Sequence, residues 1–168
     1  MNEDLGSSIR MFVERNCDLL KKIEGFSIAA FLLGFSLSIG KVTGGNVLLV
    51  AGAVFSGILF FLRSYEVFEI ENADSWSFGG IVRMNFASKL GYISMSVGMV
   101  AMLGFVFDSF KVNSVLIASG GSLIIVLGII LFTKIKEKQK GFANTLIGKI
   151  AVCIALLIFL GIKRGLIS

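Results

Sequence analysis

The chain contains no histidine and no proline, and only 16% of its residues are charged. Without histidine no imidazole can act as base to its many serines, and the commonest metal ligand is missing, so Ser-His hydrolysis and most metal chemistry are excluded. Without proline its apolar stretches lack the simplest means of breaking a helix. The two cysteines, Cys17 and Cys153, stand alone with no CxxC pair and read as small packing residues. No cofactor, metal or nucleic-acid partner is expected.

What is abundant is apolar. Of 168 residues 55% are hydrophobic, and the mean hydropathy is +0.90; an ordinary soluble domain carries roughly 25% charged residues. Sixteen Phe and twenty Gly complete a pattern of long apolar runs packed with small residues. The expected fold is an all-α, polytopic transmembrane helical bundle of one domain in the cell membrane, with membrane lipids as its first partners. Crossing the membrane uses most of the chain, and an enzyme is not expected. The opening MNEDLGSSIR lacks the basic, then apolar, order of a signal peptide, so the N-terminus is expected to stay.

Charges delimit the runs. Uncharged stretches of sixteen, twenty-one, eighteen and twenty-two residues lie at Gly25 to Gly40, Val42 to Leu62, Leu90 to Phe107 and Val112 to Thr133. A ~30 Å hydrocarbon core takes roughly 17 to 25 residues, so these are four spans. A fifth, thirteen residues from Ile150 to Ile162, crosses if it extends back to about residue 145 and Lys149 snorkels; otherwise it lies in the interface. Five spans are favoured, at about 25–40, 42–62, 90–107, 112–133 and 145–162.

Residues 1–24 form a separate segment, in which Leu5, Ile9, Phe12, Val13, Leu19, Leu20 and Ile23 fall mostly at helical spacing. This is an amphipathic helix, lying either on the membrane or on the protein's own loops. Lys and Arg divide twelve to four between the two sides, so the positive-inside rule places the N-terminus in the cytoplasm and, with five spans, the C-terminus outside. Lys134, Lys136, Lys138 and Lys140 make the densest cluster, a topology signal able to meet anionic headgroups.

The polar connection Arg63 to Lys89 carries Glu66, Glu69, Glu71, Asp74, Trp76 and Phe78. It is either a partner-contacting loop or a helix overhang anchored by Trp76. LGFSLSIGKV at Leu33 to Val42 and LGFVFDSFKV at Leu103 to Val112 share Leu-Gly-Phe and Lys-Val, and NVLLVAG at Asn46 aligns with SVLIASG at Ser114. This reads as a parallel repeat of one helical hairpin.

The first hairpin, with Lys41, Gly44 or Gly45, Asn46, Leu48, Leu49, Gly52 and Phe60-Phe61, resembles the membrane part of GldL-type subunits of the gliding-motility and type IX secretion motor. That resemblance, over about thirty-five residues, implies a hairpin within an envelope assembly. The turn lacks the family's His and Pro. Ser56, and Ile124 in the second copy, stand where the family carries its carboxylate. The motor chemistry is therefore not inherited.

No ionisable residue lies well inside a span; Arg63 and Asp108 sit at span ends and Lys149 near the start of the fifth. Small residues four apart are the clearer signal: Ala30, Gly34 and Ser38 in the first span, Gly52 and Ser56 in the second, Ser94 and Gly98 in the third, Ala118 and Ser122 in the fourth. Such faces let helix backbones approach closely, within one protomer or between protomers. Two functions remain: an integral-membrane interaction or scaffold subunit, bound to itself or another membrane protein, or a small oligomeric channel or transporter.

Overall fold

The structure is a computed structural model that describes residues 5–66, 78–107, 112–132 and 140–163, with side chains for 6–66, 85–104, 113–132 and 144–163. Six helices account for nearly all of these: α1 (Leu5–Arg15), α2 (Cys17–Ile39), α3 (Gly45–Arg63), α4 (Phe78–Phe107), α5 (Val112–Phe132) and α6 (Lys140–Lys163). Five, α2 to α6, are long and apolar enough to cross a membrane. The twenty-three residues of α2 span about 34 Å at ~1.5 Å per residue. Their outward faces remain apolar: Phe26, Val47, Phe55, Ile117, Ile125 and Phe132 are all exposed. Such a surface suits lipid as solvent, and the chain is a multi-pass membrane protein with a helical-bundle fold.

Two boundaries differ from the sequence expectation. The amphipathic segment is divided at Asn16, whose Nδ2 donates to the Phe12 carbonyl at 2.9 Å; residues 17–24 belong to the first spanning helix, not to α1. Asp18, Lys21 and Lys22 lie on its exposed sides and do not stop it. The last helix begins at Lys140, well before Lys149, and so has the length that the uncharged run alone lacked. As for the amphipathic stripe, α1 docks on the protein: Val13 and Leu20 are buried with Leu59 of α3. Met11, Phe12 and Leu19 point away from that contact and are exposed.

Helices α2 and α3 form the tightest pair. A Cβ at Gly34 would fall 2.2 Å from Leu49 N, and one at Gly52 would fall 2.5 Å from Phe31 Cα. The turn between them closes with Val42 N donating to Leu37 O at 2.9 Å and Lys41 N to Ser38 O at 3.1 Å, a Schellman arrangement with Lys41 left-handed (φ 54°). Gly44, at φ 88°, then leads into α3. Ser96 Oγ joins α4 to α3 through the Gly57 carbonyl at 2.7 Å, and Ser119 Oγ joins α5 to α4 through the Ser94 carbonyl at 2.8 Å. Helix α6 packs against α4 and α5 around Gly91, Leu146 and Ile150. Among the described residues α2 and α6 share no close backbone contact, so the bundle has a cleft between its first and last spans.

Candidate functional site

Charge converges where that cleft opens. Up-and-down connection of the spans brings the start of α2, the end of α3 and the start of α6 to one end of the bundle. Glu24 from α2 is 2% exposed and Arg63, the last residue of α3, is 4% exposed. Lys149 Nζ crosses from α6 to pair with Glu24 Oε1. Arg63 Nε stands 3.6 Å from Glu24 Oε2, and its Nη1 lies 3.0 Å from Glu66 Oε2 just beyond the end of α3. Among the described residues neither Glu24 Oε2 nor Arg63 Nε has a hydrogen-bond partner. Their attraction is thus coulombic, with directional capacity to spare.

Tyr92 of α4 forms the floor. Its ring lies 5.6 Å from Arg63 Cζ and 5.6 Å from Lys149 Nζ, in range for cation–π attraction to both. Arg63 Nη2 donates to its hydroxyl at 3.4 Å. Cys17 joins the edge, donating from Sγ to Glu66 Oε1 at 3.3 Å. Lys21, Glu24, Arg63, Tyr92 and Lys149, with Gly25, Ile28 and Thr145, line a cavity of about 500 Å³. A second cavity, about 360 Å³, lies between α5 and α6 against Gly120, Gly121, Ile124 and Gly161, and has no charged or hydroxyl-bearing wall.

The sequence reading used Glu24, Arg63 and Lys149 only as span boundaries. The structure corrects this, because helix α2 starts early enough to carry Glu24 inside the bundle, and α6 does the same for Lys149. The available signal was positional: a five-span, up-and-down chain puts residues 24, 63 and 149 at one end. An acid there beside two cations is a candidate pairing.

The small-residue faces separate into contacts and bystanders. Gly34 and Gly52 lie in the α2–α3 contact, with Ala30 half-buried and Ser38 Oγ 2.6 Å from Asn46 Oδ1 across the turn. Ser56 is fully buried and its hydroxyl has no hydrogen-bond partner among the described residues. Ser94 and Gly98 meet α5, but at Ser119, whose Oγ would lie 2.8 Å from a Cβ on Gly98. Ala118 is exposed, and Ser122 Oγ bonds the Ala118 carbonyl of its own helix at 2.9 Å. The α5 contact is therefore turned by one residue, about 100°, from the face read in the sequence.

Of the expected partner loop only Glu66 has a described side chain; Glu69, Glu71, Asp74 and Trp76 lie outside the described residues, and Phe78 opens α4 without a described side chain. Lys134, Lys136 and Lys138 lie outside them too, and Lys140 contributes only backbone. Among the described residues no three His, Cys, Asp or Glu side chains gather as a metal site. Comparison of the chain with protein-family models, curated proteins and solved structures finds no match.

Proposed function

We propose that the chain is an interaction or scaffold subunit of a larger membrane assembly, with no catalytic chemistry of its own. The filled middle of the bundle carries this reading. Below the charged end, Phe31, Leu49, Phe60, Met95, Met102 and Leu123 are almost fully buried in one continuous core. The hydroxyls of Ser96 and Ser119 are spent on helix carbonyls, and that of Ser56, unpartnered among the described residues, is sealed in the core with no exposed surface. A protomer so filled presents outer faces instead of a conduit.

A photo-crosslinker at Ile124, exposed on α5, is expected to yield a discrete protein adduct in native membranes. Adducts with lipid alone would overturn the assembly reading. In liposomes given a pH step with a charge-compensating ionophore, the purified protein should leak protons no faster than empty vesicles; a leak reduced by Ser56→Ala would overturn it in favour of a channel. The charged cavity favours a second reading, a small transporter with one-sided access, which the same vesicles loaded with labelled anions would reveal as protein-dependent flux.

A further inference from the structure

We propose that the cavity between α2 and α6 is a binding site for the phosphate-bearing headgroup of an anionic membrane lipid. The inference stands independently of whether the chain scaffolds or transports.

Charge gives the sign of the ligand. Lys21, Arg63 and Lys149 border the cavity against one lining carboxylate, Glu24. Glu66 touches Arg63 from beside the cavity and Asp18 stands 3.6 Å from Lys21, so the cationic excess belongs to the lining itself, three cations to one carboxylate. Arg63 is buried, is held by Tyr92 and Glu66, and keeps an Nε–H without a hydrogen-bond partner among the described residues. A phosphate oxygen satisfies such a donor and adds a charge-assisted bond. Lys21, half-exposed and only 3.6 Å from a freely solvated Asp18, can turn toward the same anion.

Position and shape give the class. Glu24 lies seven residues into α2 and Lys149 nine residues into α6, which at ~1.5 Å per residue is about 10 Å and about 14 Å from those helix starts. Arg63 ends α3. Glu24, Arg63 and Lys149 each border the uncharged run of their span, so the cavity lies at the edge of the apolar zone, toward the headgroups. About 500 Å³ greatly exceeds the ~30 Å³ share of one water and suits a glycerophosphate group. A Cβ on Gly25, which lines the cavity, would meet nothing within 4 Å, while the next residue, Phe26, is 79% exposed. An open charged pocket beside an outward apolar ring matches an amphiphile: phosphate inward, acyl chains along the cleft. Basic pockets between spans are a known form of headgroup recognition.

The test uses the full chain in neutral detergent, washed free of lipid, with thermal unfolding followed as mixed micelles are enriched in phosphatidylglycerol or phosphatidylcholine, or as inorganic phosphate is added. Phosphatidylglycerol is expected to raise the midpoint saturably, as a ligand of the folded state does. Lys21→Gln should weaken that apparent affinity about fivefold, the equivalent of the ~1 kcal/mol carried by one lysine near anionic lipid. Lys22→Gln, which removes an exposed neighbour that does not line the cavity, should leave the affinity unchanged. An equal shift from phosphatidylcholine, an equal shift from inorganic phosphate, equal effects of the two lysine changes, or no saturable shift would each overturn the proposal. The third of these would mean diffuse surface attraction, and the second a soluble anion.

Discussion

Gly34→Ala adds a single methyl group where the structure leaves no room for one. The new Cβ would stand 2.2 Å from Leu49 N and 2.6 Å from both Leu48 C and Leu49 Cα. These are backbone atoms, so no rotamer change relieves the clash. Ordinary contact between such atoms is about 3.5 Å, so α2 and α3 must part locally by roughly 1 Å. A gap of that size forfeits a quarter to a half of the dispersion energy of each affected pair. The loss extends along the hairpin, because Gly52 against Phe31 and Gly45 against Ser38 depend on the same separation. Overpacking costs about 1–3 kcal/mol. The better helix propensity of alanine returns up to ~1 kcal/mol, so a net loss of about 2 kcal/mol is expected. Leu33→Ala, one position away at a 60% exposed side chain, should cost much less. The pair Gly34→Ala and Gly52→Ala should cost less together than the sum of the two, since one displacement of α3 accommodates both. Equilibrium unfolding in detergent measures all four proteins. A Gly34→Ala protein as stable as Leu33→Ala, or a strictly additive double variant, would refute the close backbone approach.

Glu24→Ala leaves the buried Arg63 and the partly buried Lys149 around Tyr92 without their shared carboxylate, and should cost about 3 kcal/mol by the same assay, with part recovered by adding Lys149→Met; a neutral Glu24→Ala would mean that the cluster is fully hydrated. Gly98→Ala meets only the Ser119 hydroxyl within 3 Å, so Gly98→Ala with Ser119→Ala should be more stable than Gly98→Ala alone, and the reverse order would place the strain elsewhere. Reporter fusions at Gln139 and Ser168 should report opposite sides of the membrane; a cytoplasmic signal from both would mean that α6 does not cross.

Hydropathy made the spans legible because each is bounded by charge, and lipid demands a long apolar run whatever its neighbours. The same habit hid the charged cluster. Glu24 and Lys149 read as edges of uncharged runs, whereas a helix continues through a charge that finds a partner. That partner is set by which helices become neighbours, and Glu24 lies 125 positions from Lys149. Small-residue spacing pointed to Gly34 and Gly52, which lie in the close contact between α2 and α3. In α5 it was ambiguous, because Ala118, Ser119, Ser122 and two glycines surround an apolar helix on several sides, so the phase that favours Ser119 comes only from the packing of α4.

The bridge between Lys149 and Glu24 joins the last helix to the first, and this bears on the order in which a ribosome-fed chain can assemble. Glu24 and Arg63 are both made by the time the second span emerges, and they already neutralise each other one to one. The opening hairpin can therefore leave the insertion machinery without a naked charge, closed by glycines close in sequence. Lys149 arrives last and finds a carboxylate waiting. Its helix packs on α4 and α5 and, having no close backbone contact with α2 among the described residues, meets α2 through that ionic bridge and through Phe159 packed edge-on against Phe35 at 5.8 Å. Final closure of the bundle is thus a side-chain event between the two ends of the chain, separable from the insertion of the hairpin that precedes it.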